Sequence, residues 1–217
     1  MEFRPDALAI DQRYKLLTGL VVPRPIAWVS SIDARGRTNL APFSYFSIVG
    51  HSPMALSFSV AGRKPDRGDK DTLRNVRPVC EGGTGEFVVS VVSRAMAKEM
   101  AGTAAPLAAG VSEFQVCGVS GVPASVVRGL RVAAAPASFE CRTVQIVQVG
   151  IASVVIGEIV CLHVAEGLLD NSGRVRFDGL HAVGRLAGTE YIGLEHRFEL
   201  EDAGFFPAAP GYAKGAT

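Results

Sequence analysis

The segment Arg24 to Ser47, RPIAWVSSIDARGRTNLAPFSYFS, constrains the fold more than any other part of the chain. An apolar run, PIAWVSSI, is followed by Asp33-Ala34-Arg35-Gly36, with Asp to open a tight turn and Gly to accept a left-handed backbone. A second short apolar run follows, so the segment reads as a β-hairpin with strands over 24–33 and 37–40. After Asn39 the residues LAPFSYFS read as a loop that packs two hydroxyls and three aromatics into eight positions. Composition leaves two readings open for it: a bed for a flat polar ring, or the rim of a β-barrel.

Other short apolar, β-branched runs predict strands near 54–60, 86–92, 137–148 and 151–164. The last two form the most apolar stretch, Val144 to Ala165. Its glutamines, glycines and Glu158 argue for two strands joined near Gly150 rather than a membrane helix. Gly157, in mid-strand, predicts a bulge or a close backbone approach. Helices are few and short. Asp71 to Arg77 reads as one, capped by Asp71 with Leu73 and Val76 on one face. Ser93 to Ala101 reads as another, capped by Ser93 with Met96 and Met100 as core filler. Residues 112–116 read as a further turn of helix, and 123–128 as a turn or short helix. Many short strands with small helices between them predict an antiparallel barrel. The absence of a GxGxxG after any strand argues against a dinucleotide-binding parallel sheet.

The 217 residues suffice for one domain with a substantial core: a barrel core over 14–191 and a Pro/Gly-rich tail over 200–217, anchored by Phe205 and Phe206. Net charge is +1 and charged residues are 20% of the chain, so neither nucleic acid nor a strongly basic partner is expected. The N-terminus mixes acidic and basic residues before any apolar run, unlike a signal peptide, and a cytoplasmic location is the expectation. The four cysteines, 80, 117, 141 and 161, contain no CxxC, and the four histidines share no ligand spacing, so no metal is expected. Cys141 and Cys161 lie in predicted strands and are expected to be buried. His181 is singled out because it precedes the Gly184-Arg185 segment. A lone Trp28 in an apolar strand reads as core, with a stacking role on a ligand as the alternative. No triad, carboxylate pair, HExxH or P-loop is present.

Several segments together carry a family resemblance: the hairpin; Lys70-Asp71-Thr72-Leu73-Arg74-Asn75; Gly85-Glu86-Phe87-Val88-Val89; and Gly184-Arg185-Leu186 with Gly188 and Tyr191. In this order, over Tyr14 to Tyr191, the chain resembles the flavin reductase-like family, the FMN-binding split barrels that include flavoredoxin-type proteins. The resemblance implies a mostly β, Greek-key split barrel with short helices. It implies a homodimer with FMN at the subunit interface and NAD(P)H as electron donor. The implied activity is flavin reduction, with free flavin, an oxygenase or another acceptor protein receiving the electrons. A non-catalytic FMN electron carrier and another split-barrel oxidase are the alternatives.

For the site, the resemblance implies Ser30 and Ser31 beside the ribityl chain and phosphate. It puts Ala41, Pro42, Phe43 and Ser44 along the ring, with backbone amides at its polar edge and Asn39 nearby. Lys70, Asp71 and Thr72 fall at the phosphate, where a helix N-terminus supplies donors. Arg63 and Arg185 are further cation candidates. Each also has a plain structural reading, as a helix cap, a solvated arginine or an ion pair. The chain departs from the family pattern at His51-Ser52-Pro53-Met54, at Ser90, and in the Gly-rich insertion over Arg77 to Thr84.

Overall fold

The structure, a computed structural model, describes residues 1–62, 68–108 and 110–198. Helix α1 (Ile10–Leu20) precedes a short strand β1 (Arg24–Pro25). The hairpin is β2 (Ala27–Ile32) and β3 (Thr38–Phe43), with β4 (Phe46–His51) and β5 (Met54–Ala61) forming the next. Then come α2 (Asp71–Val76), β6 (Glu86–Val91), α3 (Ala97–Gly102), α4 (Glu113–Val116), β7 (Gly121–Pro123) and β8 (Leu130–Val132). The long hairpin β9 (Ala137–Val149) and β10 (Ala152–Val164) turns at Gly150, which has φ +57°. Helix α5 (Phe177–Leu180), β11 (Val183–Arg185) and β12 (Tyr191–Gly193) end the described chain. No described helix is long and apolar enough to cross a membrane.

Seven strands form one antiparallel sheet in the order β3-β2-β6-β9-β10-β5-β4. Its two end strands share no ladder. Instead Phe43 of β3 meets Phe58 of β5 at 5.1 Å between centroids, and Phe58 meets Phe87 edge-on at 5.4 Å. The sheet therefore curls and closes through side chains, which makes it a split barrel. Inside lie Val29, Phe58, Phe87, Cys141 and Val155; outside, Trp28, Leu40, Met100, Phe114 and Val132 form a second cluster. Strand β2 is covered on both faces, which is why it reads as a nearly continuous apolar run. Trp28 is core: it is fully buried and donates from Nε1 to Thr103 Oγ1 at 2.9 Å.

The turn forms as its residues predict. Gly36 has φ +83°, and Asp33 Oδ1 accepts the amides of Arg35 and Arg37, both at 2.9 Å. Gly157 shows both expected features, a register shift at Ile156/Gly157 and a ring too close for a side chain. Other expectations need correction. The "loop" after Asn39 is strand, because Ala41 to Phe43 continue the ladder with Val29 to Ala27. The run 24–33 breaks at Ile26, and β1 joins a separate small sheet with β11 and β12. Residues 124–129 bend without forming a helix. Asp71 is the first helical residue rather than the cap, and pairs with Arg74. Ser93 makes no side-chain cap; a 3₁₀ turn over Arg94–Met96 leads into α3. Cys161 is only half-buried, whereas Cys141 is buried as expected. The expected tail over 200–217, with Phe205 and Phe206, lies outside the described residues.

Candidate functional site

A cleft opens where β3 runs out of the sheet. Its first basin, about 310 Å³, lies between β3, α1 and the small sheet, lined among others by Tyr14, Arg24, Pro42, Phe43, Ser44, Lys70, Arg185 and Tyr191. A second basin, about 220 Å³, runs along β3 and α2 past Asn39, Ala41, Asp71, Thr72, Thr103 and Glu113. Pro42, Phe43, Lys70 and Ala104 line both, so the two basins meet at Lys70. Their joint size suits a nucleotide-sized ligand.

Three cations line the first basin, and no carboxylate does among the described residues. Lys70 is the residue preceding α2. Burial lowers its pKa. Arg24 is held at the sheet corner by Arg185 across the β1–β11 ladder. It is 7% exposed and donates to the carbonyls of Thr18, Val21 and Leu186, and its Nε has no partner among the described residues. Arg185 donates to the Tyr191 hydroxyl and the Gly188 carbonyl, and its guanidinium lies 4.6 Å from the Tyr191 ring centroid. Burial, with Tyr14 adding to it, raises the pKa of Tyr45 in the same basin, which keeps its phenol protonated.

The second basin is polar in a different way. Asn39 Nδ2 donates to Thr72 Oγ1 at 2.9 Å, which leaves the Thr72 hydroxyl hydrogen for another acceptor. Glu113 Oε2 accepts the Leu40 amide at 2.9 Å. That contact constrains the edge of β3. Outward amides occur at every second residue of an end strand; Leu40's is taken and Pro42 has none. Along Asn39 to Phe43, therefore, outward hydrogen-bond donors come from side chains, while the main chain offers only carbonyl acceptors.

Of the residues singled out from sequence, Asn39, Ala41, Pro42, Phe43, Ser44, Lys70, Asp71, Thr72 and Arg185 line the cleft. Ser30 and Ser31 do not. Ser30 Oγ donates to the Leu130 carbonyl, and Ser31 Oγ accepts from Asn75 Nδ2 at 3.1 Å, both 1% exposed. Arg63 lies outside the described residues. His181, with φ 45°, is exposed, lines neither basin, and offers its carbonyl to the Arg94 amide. Sequence reasoning missed Arg24. Its signal was its place between Pro23 and Pro25, a rigid corner with an embedded charge.

The fold and the chain agree on a class. Residues 19–181 match the flavin reductase like domain, and the chain belongs to that family. Nitrilotriacetate monooxygenase component B from Bacillus cereus is 33% identical over 92% of this chain and 98% of its own, with a TM-score of 0.85. The 2-nitrobenzoate 2-nitroreductase NbaA of Pseudomonas fluorescens is 32% identical over 96% and 100%, with a TM-score of 0.83. An uncharacterized protein of Aquifex aeolicus is 38% identical over 88% of this chain and 95% of its own.

Proposed function

We propose that this protein binds FMN in the cleft and acts as an NAD(P)H-dependent flavin reductase. The carrying observation is the first basin: among the described residues it is lined by Lys70, Arg24 and Arg185 and by no carboxylate, in a chain of net charge +1. That donor set fits a dianionic phosphate, and an anion beside Lys70 would offset the desolvation that lowers its pKa. When bound, the flavin supplies the redox chemistry, accepting a hydride and passing electrons onward. The protein's own part is to hold and orient. Lys70 and Arg185 neutralise the phosphate, Asn39 and Thr72 offer polar contacts along β3, and Pro42 and Phe43 give an apolar wall that keeps water from the ring.

We further propose a homodimer, since the end strand β4 exposes Ile48 and Val49. A separate acceptor, such as an oxygenase, would take the electrons. The Bacillus cereus neighbour is by name one component of a monooxygenase.

The purified protein with FMN, mixed anaerobically with NADH and then NADPH, should lose the flavin's visible absorbance with at least one of them. No loss with either, together with full reduction by dithionite, would replace the reductase with an electron carrier. Lys70→Ala should weaken FMN binding about 10- to 100-fold, the value of one charge-assisted hydrogen bond. Unchanged affinity in a fluorescence titration would remove Lys70 from the phosphate site.

A further inference from the structure

On the β9–β10 hairpin, three side chains with ligand chemistry meet on one face. Cys161 lies directly opposite Glu140 because the ladder shifts register between Ile159 and Cys161. His163, two residues on, projects to the same side. Glu140 Oε1, Cys161 Sγ and His163 Nε2 all fall within 4.8 Å of one another, and none of the three residues lines the cleft. His163 Nε2 is 2.5 Å from Glu140 Oε1 and 3.6 Å from Cys161 Sγ.

The arrangement is not a catalytic triad. Thiol and carboxylate both address the same ring nitrogen, so no proton can pass through the imidazole from one to the other. Sharing one nitrogen is what a common metal ion would resolve. We propose that Glu140, Cys161 and His163 form a zinc-binding site with three protein ligands and one position open to solvent.

A thiolate, an imidazole and a carboxylate make a mixed S, N, O donor set that suits Zn²⁺. Tetrahedral coordination at ordinary zinc bond lengths separates S from N by roughly 3.6 Å and N from O by roughly 3.4 Å. The first separation is already present. The second requires the imidazole to move by about 1 Å from its hydrogen-bonded position, and His163 is only partly buried. The carboxylate is already oriented by amides. Ser125 donates to Oε1 at 2.7 Å, while Val126 and Val127 donate to Oε2 at 2.7 and 2.9 Å. Amide bonds of this kind are how proteins fix a ligating carboxylate. Glu140 is fully buried, whereas Cys161 and His163 are half-buried, so the open position faces outward.

The protons balance. The Cys161 thiol gives up its proton to solvent. The His163 proton moves from Nε2 to Nδ1, and Glu140 enters ionised. One proton is released per ion, and the two anionic ligands cancel the metal's charge.

Metal-stripped full-length protein, titrated with Co²⁺ alone, should bind one ion per chain. A thiolate-to-cobalt charge-transfer band should appear, and Zn²⁺ should displace it with release of about one proton. Cys161→Ser should abolish the band and weaken Zn²⁺ binding at least about a hundredfold. His163→Ala should weaken it comparably, while Cys80→Ser with Cys117→Ser should change neither readout. Absence of stoichiometric binding, or binding unchanged in Cys161→Ser, overturns the site. Should a variant fail to fold, alkylation of the wild-type protein decides: Zn²⁺ must slow modification of Cys161, and equal rates with and without metal overturn the proposal.

Discussion

Glu140 shows how one residue can be misjudged from its type. A glutamate in mid-strand looks solvated, yet this one is fully buried. Burial alone would raise its pKa. The amides of Ser125, Val127 and Val126 and the His163 ring outweigh that and bring it from the ordinary 4.5 to about 2. A depressed carboxyl stabilises the fold fully above pH 4.5, and that contribution is lost as pH falls through about 2. The shift corresponds to on the order of 3 kcal/mol. Glu140→Gln should therefore lower the thermal midpoint at pH 7 and flatten the acid loss between pH 4.5 and 2. A variant whose stability falls in parallel with the wild type across that window would show that other carboxylates carry it. Neighbouring Cys141 is pushed the other way, well above the usual thiol range, by burial and then by the Glu140 charge.

Among elements, β10 is the most informative. Gly157 sits where β9 and β10 slip register, and a Cβ there would come within 2.4 Å of Phe87 Cζ. Gly157→Ala should cost about 1–3 kcal/mol of stability, as over-packing does. Adding Phe87→Leu should recover part of the loss in a double-mutant cycle, and additive effects would mean the ring is not the obstacle. This glycine was legible because a mid-strand Gly has few other uses. Helix α1 was not. Its Ile10, Tyr14, Leu17 and Leu20 are all more than half exposed, and only Thr18 is buried. Short β4, β7 and β8 escaped because their pairing partners, not their own periodicity, hold them extended.

For the whole molecule, the end strand β4 sets the association prediction. Ile48 is 81% exposed on a strand with a ladder on one side only. Ile48→Lys should shift the proposed homodimer toward monomer in light scattering without moving the thermal midpoint of a dilute sample. A mass equal to one chain in the wild type would remove the dimer altogether. The cleft belongs to the same scale, since its three cations come from β1, the segment before α2, and β11.

Residue order alone was enough for the hairpin, the long strands, the turn at Gly36 and the family pattern. Those depend on local backbone preference and on the period-two burial of a sheet, which act between near neighbours in the chain. Register and closure decided the rest. They buried Ser30 and Ser31 on opposite faces of β2, set Arg24 beside Arg185, and brought Cys161 and His163 to Glu140, residues more than twenty positions away. Contacts of that kind follow from which strands pair and where a bulge shifts them, and no local property of the chain encodes either.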